Sequence, residues 1–271
     1  MKFKERKITV NYHQVSYFDE GQRQALPVVF IHGFPFSKAM WSNQLEALKK
    51  DYRPIAYDVR GHGQSDSGQV DFSIDLFADD LLALLDELNI PKAVVCGLSM
   101  GGYIVLNAIQ KQPSRFAGLV LTDTQCGADT SEGRDKRMKT IAFIKKNGLE
   151  VYADESLKNL FAEQSFQMHM EEVEFIHQTI LATPTEVVCR TLQALADRKE
   201  TCSYLPKINI PVCIMVGEED RITPLPMAEK MAAGIREAHV VVVKGAGHLS
   251  SLEGSDQFNR ILINFLEANN S

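Results

Sequence analysis

A serine hydroxyl becomes a useful nucleophile only when it is exposed at a tight turn beside a base. Residues Gly97-Leu98-Ser99-Met100-Gly101 offer that setting. Apolar Ala93-Val94-Val95-Cys96 precede this G-x-S-x-G run, and helix-like Tyr103-Ile104-Val105-Leu106-Asn107-Ala108-Ile109 follows it. Strand, sharp turn and helix in that order are what a nucleophile elbow requires. Such a turn holds its serine in a strained backbone region, and flanking glycines let neighbouring chain come close. The competing reading is a glycine-rich strand–helix connection that happens to carry a serine. What separates the two is whether the rest of the chain supplies partners.

Those partners are a base, an acid that orients it, and donors for an oxyanion. Behind an elbow of this kind they follow in the order serine, acid, histidine. His248 lies in Lys244-Gly245-Ala246-Gly247-His248-Leu249, directly after the last strand-like run and before a helical pattern at residues 256–266. The two glycines allow that loop to fold back toward Ser99. The acid is expected at the end of the penultimate strand, in Val216-Gly217-Glu218-Glu219-Asp220-Arg221-Ile222-Thr223-Pro224. Asp220 is favoured because it stands nearest the helix start, in G-x-x-D-x-x-T-P form, while Glu218 and Glu219 read as solvated charges. Asp123, in Leu121-Thr122-Asp123-Thr124, is the alternative acid. The oxyanion donors are expected to be the backbone N–H of Met100 and that of Phe34, in His32-Gly33-Phe34-Pro35. Each such donor is typically worth about 2.7–4 kcal/mol of transition-state stabilisation. His32 and His62 read as loop architecture rather than as second bases, and no His, Asp or Glu cluster has metal-ligand spacing.

These residues need a scaffold that brings them to one edge. Two short alternating runs, residues 7–11 and 15–18, read as an antiparallel pair. Six apolar runs without alternation follow, at residues 28–31, 54–57, 93–96, 118–121, 212–216 and 240–243, as expected of strands buried on both faces. Helical patterns separate them. The clearest runs from Ile74 to Leu88, capped by Ser73, and another begins at Thr223 with Pro224 in its first turn and ends at Gly234. This alternation predicts an α/β fold with a mostly parallel, eight-stranded, doubly wound sheet. It breaks at residues 128–204, which carry amphipathic helices, one of them opened by a capping box at Thr183-Pro184-Thr185-Glu186. The reading is therefore a core of residues 1–127 and 205–271 with a helical cap, 128–204, inserted after strand six and lying over the strand ends.

Composition narrows the partners. A net charge of −6 on 271 residues, with no block of like charge, argues against nucleic acid or anionic membranes as partners. The basic start Met1-Lys2-Phe3-Lys4-Glu5-Arg6-Lys7 has no apolar run behind it, and no stretch matches a membrane span. The 5 cysteines are odd in number and scattered, which reads as free thiols in a reducing, cytoplasmic setting, with Cys96 and Cys213 inert inside strands.

The motifs at residues 32–35, 58–65, 97–102, 217–223 and 245–248 together resemble the α/β-hydrolase superfamily, in that family's order. Within it the chain is similar to 3-oxoadipate enol-lactonases, small carboxylesterases and cofactor-free haloperoxidases. Serine at 99 departs from dehalogenases and epoxide hydrolases, which carry aspartate there, and His-Gly-Phe-Pro departs from the His-Gly-Gly-Gly loop of hormone-sensitive lipases. The resemblance implies cofactor-free acyl transfer from a small ester or lactone to water. Alternatives are hydrolysis of a carbon–carbon bond in ring-fission products, or a slow-turnover ligand receptor on the same scaffold. Candidate pocket residues are Phe36 and Trp41 beside the oxyanion loop, with Met138, Phe143, Phe161, Phe166 and Met168 in the cap, each of which could instead simply join core elements. Arg134 and Arg137 could meet a substrate carboxylate or be solvated helix charges.

Overall fold

In the computed structural model, which describes residues 3–269, the strands are β1 (Arg6–Val10), β2 (His13–Asp19), β3 (Pro27–Ile31), β4 (Arg53–Tyr57), β5 (Ala93–Leu98), β6 (Phe116–Thr122), β7 (Val212–Gly217) and β8 (Ala238–Val243). Met1 and Lys2 of the basic start, and Asn270 and Ser271, lie outside the described residues. The strands form one 8-stranded sheet in the order β1-β2-β4-β3-β5-β6-β7-β8. β2 runs antiparallel to both β1 and β4, and every other pairing is parallel. The β1–β2 hairpin turns on Asn11 and Tyr12 with φ of 43° and 64°. That pair of left-handed residues suits the twist of a tight hairpin, and asparagine tolerates it well.

The unbroken apolar runs are explained by burial on two faces. Val29 and Ile31 of β3 enter one hydrophobic layer, Val28 and Phe30 the other. β7 divides in the same way, Val212, Ile214 and Val216 against Cys213 and Met215. Helices cover both sides: α1 (Ser42–Leu48), α2 (Ile74–Glu87) and α3 (Met100–Lys111) in the first half of the chain. Ser73 caps α2 by accepting the Leu76 N–H at 3.0 Å.

Between β6 and β7 the chain is helical: α4 (Ser131–Asn147), α5 (Leu149–Leu160), α6 (Ser165–Met168), α7 (Met170–Ala182) and α8 (Thr185–Ala196). After β7 come α9 (Leu225–Gly234), α10 (Ser250–Glu253) and α11 (Ser255–Ala268). α11 turns Phe258, Leu262, Phe265 and Leu266 inward at i, i+4, i+7 and i+8, onto the layer that holds Leu45 and Leu48 of α1. Two helix starts differ from their sequence patterns. The expected capping box at α8 does not form: the helix starts at Thr185 with Pro184 in the N-cap place, and the Thr183 hydroxyl, one residue too early, donates toward the Pro35 and Thr179 carbonyls, each at 3.1 Å. α9 begins at Leu225 rather than Thr223, because the Thr223 N–H and hydroxyl are committed to Asp220.

The all-thiol reading of the cysteines is corrected. Cys126, just after β6, is disulfide-bonded to Cys202, which opens the short 3-10 helix Cys202–Lys207 ahead of β7. Cys96, Cys189 and Cys213 are the buried free thiols. The Cys126 carbonyl also accepts the Thr201 N–H at 2.8 Å, so the chains entering and leaving the insertion are tied twice. The disulfide takes away the support that scattered free thiols lent to a reducing compartment. Among the described residues, no helix is long and apolar enough to cross a membrane. Because the bridged cysteines are 76 residues apart, loop-closure entropy predicts that Cys126→Ser with Cys202→Ser lowers the unfolding free energy by about 2–4 kcal/mol. Denaturant titration of the pair variant, and of the native chain with and without reductant, measures it.

Candidate active site

The carboxyl edge of the sheet gathers the chemistry-bearing residues. Ser99 links the end of β5 to the first residue of α3, with φ 52° and ψ −112°. A non-glycine residue held there stores on the order of 1–3 kcal/mol, which surrounding contacts must offset. Several do: the Ser99 N–H donates to the Thr122 carbonyl at 3.0 Å, and its carbonyl accepts the Thr124 hydroxyl at 2.8 Å. Gly101 is glycine because a Cβ there would stand 2.3 Å from the Ile31 carbonyl oxygen, where α3 starts against the end of β3.

His248 joins Ser99 to Asp220. Its Nε2 lies 2.9 Å from the Ser99 Oγ, and its Nδ1 lies 2.9 Å from the Asp220 Oδ2. A carboxylate only accepts, so Nδ1 carries the hydrogen and Nε2 is left as the acceptor for the serine O–H. Asp220 is itself fixed. Its Oδ1 accepts the Ile222 and Thr223 N–H groups at 2.8 and 3.0 Å, and its Oδ2 accepts the Thr223 hydroxyl at 2.8 Å. Burial alone would raise the Asp220 carboxyl, but the adjacent imidazole and these donors outweigh it and pull the pKa down to about 2. Burial alone would lower the His248 imidazole. The carboxylates of Asp220, Asp123 and Glu253 outweigh that and hold its pKa above the ordinary histidine value.

Asp123 lies below this array rather than in it. It is fully buried, with φ 46°, and its Oδ1 accepts the Gly217 N–H at 2.8 Å. Its Oδ2 accepts from the Ser250 hydroxyl and from the Thr122 hydroxyl at 3.1 Å. Burial and the nearby Asp220 charge raise its pKa to about 7.

His32 and His62 are buried architecture. The His32 Nε2 accepts the Val59 N–H at 2.9 Å, which leaves Nδ1 to donate to the Gly33 carbonyl at 2.7 Å. Burial lowers the pKa of His32 to about 4 and that of His62 to about 3, so both rings are neutral at pH 7. Beside them a buried ion pair anchors the segment after the Phe34 loop: Asp58 accepts the Lys38 N–H at 2.7 Å and its Nζ at 2.6 Å.

A cavity of about 650 Å³ opens onto Ser99 and His248. Phe34 and Met100 line it, as do Tyr103, Phe143, Tyr152, Leu192, Leu195 and Ile222. Met100 is the first residue of α3, so its amide lies at the positive end of a 12-residue helix. Of the other proposed pocket residues, Phe36, Trp41 and Phe161 are core rather than lining. All three are at most 1% exposed, and Trp41 packs between Phe30 and Phe258 at ring distances of 5.0 and 6.1 Å. Phe166 and Met168 face solvent. Arg134 is turned outward to Asp197 at 2.7 Å, and Arg137, which does line the cavity, is paired with Asp129. Lys136, Lys139 and Arg221 give the cavity wall further positive charge. Thr223 escaped the sequence reading as a site residue, although its place three residues after Asp220 is the spacing of a local side-chain turn. Among the described residues, no group of His, Cys, Asp or Glu side chains could hold a metal ion.

The sequence profile of the alpha/beta hydrolase family matches residues 28–261. A 3-oxoadipate enol-lactonase of Acinetobacter baylyi is 29% identical over 92% of this chain and 91% of its own length. Among solved structures, a thermophilic esterase from Thermogutta terrifontis superposes with a TM-score of 0.93 at 32% identity, covering 99% of this chain and 100% of that one. An enol-lactonase from Burkholderia xenovorans superposes with a TM-score of 0.90 at 25% identity, covering 97% and 100%.

Proposed function

The chain belongs to the alpha/beta hydrolase family, and we propose that within it the protein is a serine hydrolase of small carboxylic esters or lactones. The observation that carries this reading is the His248 imidazole set 2.9 Å from both the Ser99 hydroxyl and the Asp220 carboxylate. Ser99 Oγ attacks the ester carbonyl as His248 Nε2 takes its proton. The oxyanion is held by the amides of Met100 and Phe34, and Asp220 stabilises the imidazolium without accepting its proton. His248 then gives the proton to the leaving oxygen. Water, activated by the same nitrogen, attacks the acyl-enzyme and regenerates the serine. Residues 128–204 act as a cap whose helices supply the apolar wall at Phe143, Leu192 and Leu195. The esterase and enol-lactonase names of the relatives fall within this chemistry and support it.

Mixing with a p-nitrophenyl ester is expected to release a burst of p-nitrophenol stoichiometric with enzyme, followed by slower turnover. The neutral imidazole is the active form, so kcat/KM rises as His248 loses its proton. Because neighbouring carboxylates raise that pKa, the acid limb is expected above the ordinary value of about 6.5. A limb well below 6.5, or turnover without an acyl-enzyme, would contradict the assignment.

A further inference from the structure

Glu253, at the end of α10, is a carboxylate only 7% exposed, five residues beyond His248. Its Oε1 accepts the N–H groups of Gly247 at 2.9 Å and Leu249 at 3.3 Å, the residues on either side of His248. Its Oε2 accepts the Ala162 N–H at 2.8 Å and the Ser165 hydroxyl at 2.6 Å, both from the helical insertion. Burial raises the Glu253 carboxyl above its ordinary value, and the four donors converging on its two oxygens oppose that by favouring the ionised form.

Two further contacts join the same segments. The His248 N–H donates to the Leu160 carbonyl at 2.9 Å. A Cβ on Gly247 would stand 2.6 Å from the Ala162 nitrogen and 2.8 Å from the Phe161 carbonyl carbon, so only glycine lets the insertion's backbone lie there. The main chain of the histidine loop is thus held from the insertion side, while Asp220 holds the imidazole from the sheet side.

We propose that Glu253 is a positioning residue for His248, through which the 160–165 segment of the insertion seats the loop carrying the base. The proposal rests on the reading of Ser99, His248 and Asp220 as an acyl-transfer triad. It makes the alignment of the base conditional on the docking of that segment. The amides of Gly247 and Leu249 and the insertion donors of Ala162 and Ser165 share the two Glu253 oxygens, beside the direct bond from the His248 N–H to the Leu160 carbonyl. The charged groups acting on the imidazole are Asp220, Asp123 and Glu253, all carboxylates that favour its protonated form.

The test compares Glu253→Gln and Ser165→Ala with the parent enzyme on p-nitrophenyl acetate, with rates divided by burst amplitude so that only folded, acylating sites are counted. Glutamine keeps the shape but turns an NH2 toward either the loop amides or the insertion donors. For Glu253→Gln, kcat per site is expected to fall about 10- to 100-fold, the scale of a small misplacement at a reacting group, with KM within about twofold. Its acid limb is expected to move to lower pH, because one of three carboxylates acting on His248 is gone. Ser165→Ala removes one insertion-side donor without touching the histidine loop. A smaller fall in kcat with an unmoved limb is expected, and this variant carries the test alone if Glu253→Gln does not fold. Parent-like kcat per site in both variants, or in Ser165→Ala when it alone folds, overturns the proposal. If Ser99→Ala is inactive in the same assay, the triad reading survives that result; if Ser99→Ala remains active, it is the triad reading that fails.

Discussion

Ser99→Ala is expected to reduce kcat on an activated ester by about 10⁶-fold, the scale on which a serine–histidine unit fails when its nucleophile is removed. The mutation deletes the hydroxyl that shares a hydrogen with His248 Nε2 at 2.9 Å and that serves as nucleophile in the proposed mechanism. It leaves the cavity, Asp220 and the Met100 and Phe34 amides in place, so substrate binding is expected to persist while the burst disappears. Residual catalysis should come from oxyanion stabilisation and binding. Alanine keeps the same Cβ and inherits the same φ of 52°, so the melting temperature is expected to hold. Loss of rate at constant stability therefore isolates the chemistry. Retention of more than a few per cent of activity would show that acyl transfer proceeds through another group.

Asp220→Asn is expected to cost about 10⁴-fold in kcat, because an amide in that place can favour the wrong imidazole tautomer. If the asparagine NH2 faces Nδ1, the hydrogen moves to Nε2, and Nε2 then cannot accept from Ser99. The Thr223 hydroxyl and the amides of residues 222 and 223 hold the side chain rigidly, so little reorientation relieves the fault. Asp123→Asn is the control. Its oxygens receive the Gly217 N–H and the Ser250 hydroxyl, so its effect on kcat per acylating site is expected to be far smaller. If Asp123→Asn is the more damaging of the two at matched burst amplitude, the identity of the acid is reversed.

Much of this arrangement could be read from residue order. The unbroken apolar runs at 28–31, 93–96 and 212–216 stood for strands because only a sheet covered on both faces buries every position, and Val28 to Ile31 do enter alternate layers. The elbow was legible because its glycines answer to steric needs: a Cβ at Gly101 would meet the Ile31 carbonyl, and one at Gly97 the Gly101 backbone. The cavity wall was not. Which face of an insertion helix looks inward depends on what packs beneath it, so Phe143 lines the cavity while Phe161, with the same side chain, fills the core. Phe36 and Trp41 are near the Phe34 loop in sequence but belong to the hydrophobic layer beneath it. The Cys126–Cys202 pair was invisible for a related reason: proximity across 76 residues is created by the insertion leaving and re-entering the sheet at one place. Glu253 carries no signal in sequence, because two of its four donors come from Ala162 and Ser165, some ninety residues away.

The bridged cysteines have Cα atoms 4.9 Å apart. The segment between them is consequently a ring sealed at its base, which also docks on the core through the Glu253 oxygens and the Leu160 carbonyl. A cassette of different length or lining could be spliced in at positions 126 and 202 without asking β6 or β7 to move. Diversification of what such a scaffold recognises could then proceed by exchanging rings, provided each new ring keeps the contacts made by Leu160, Ala162 and Ser165.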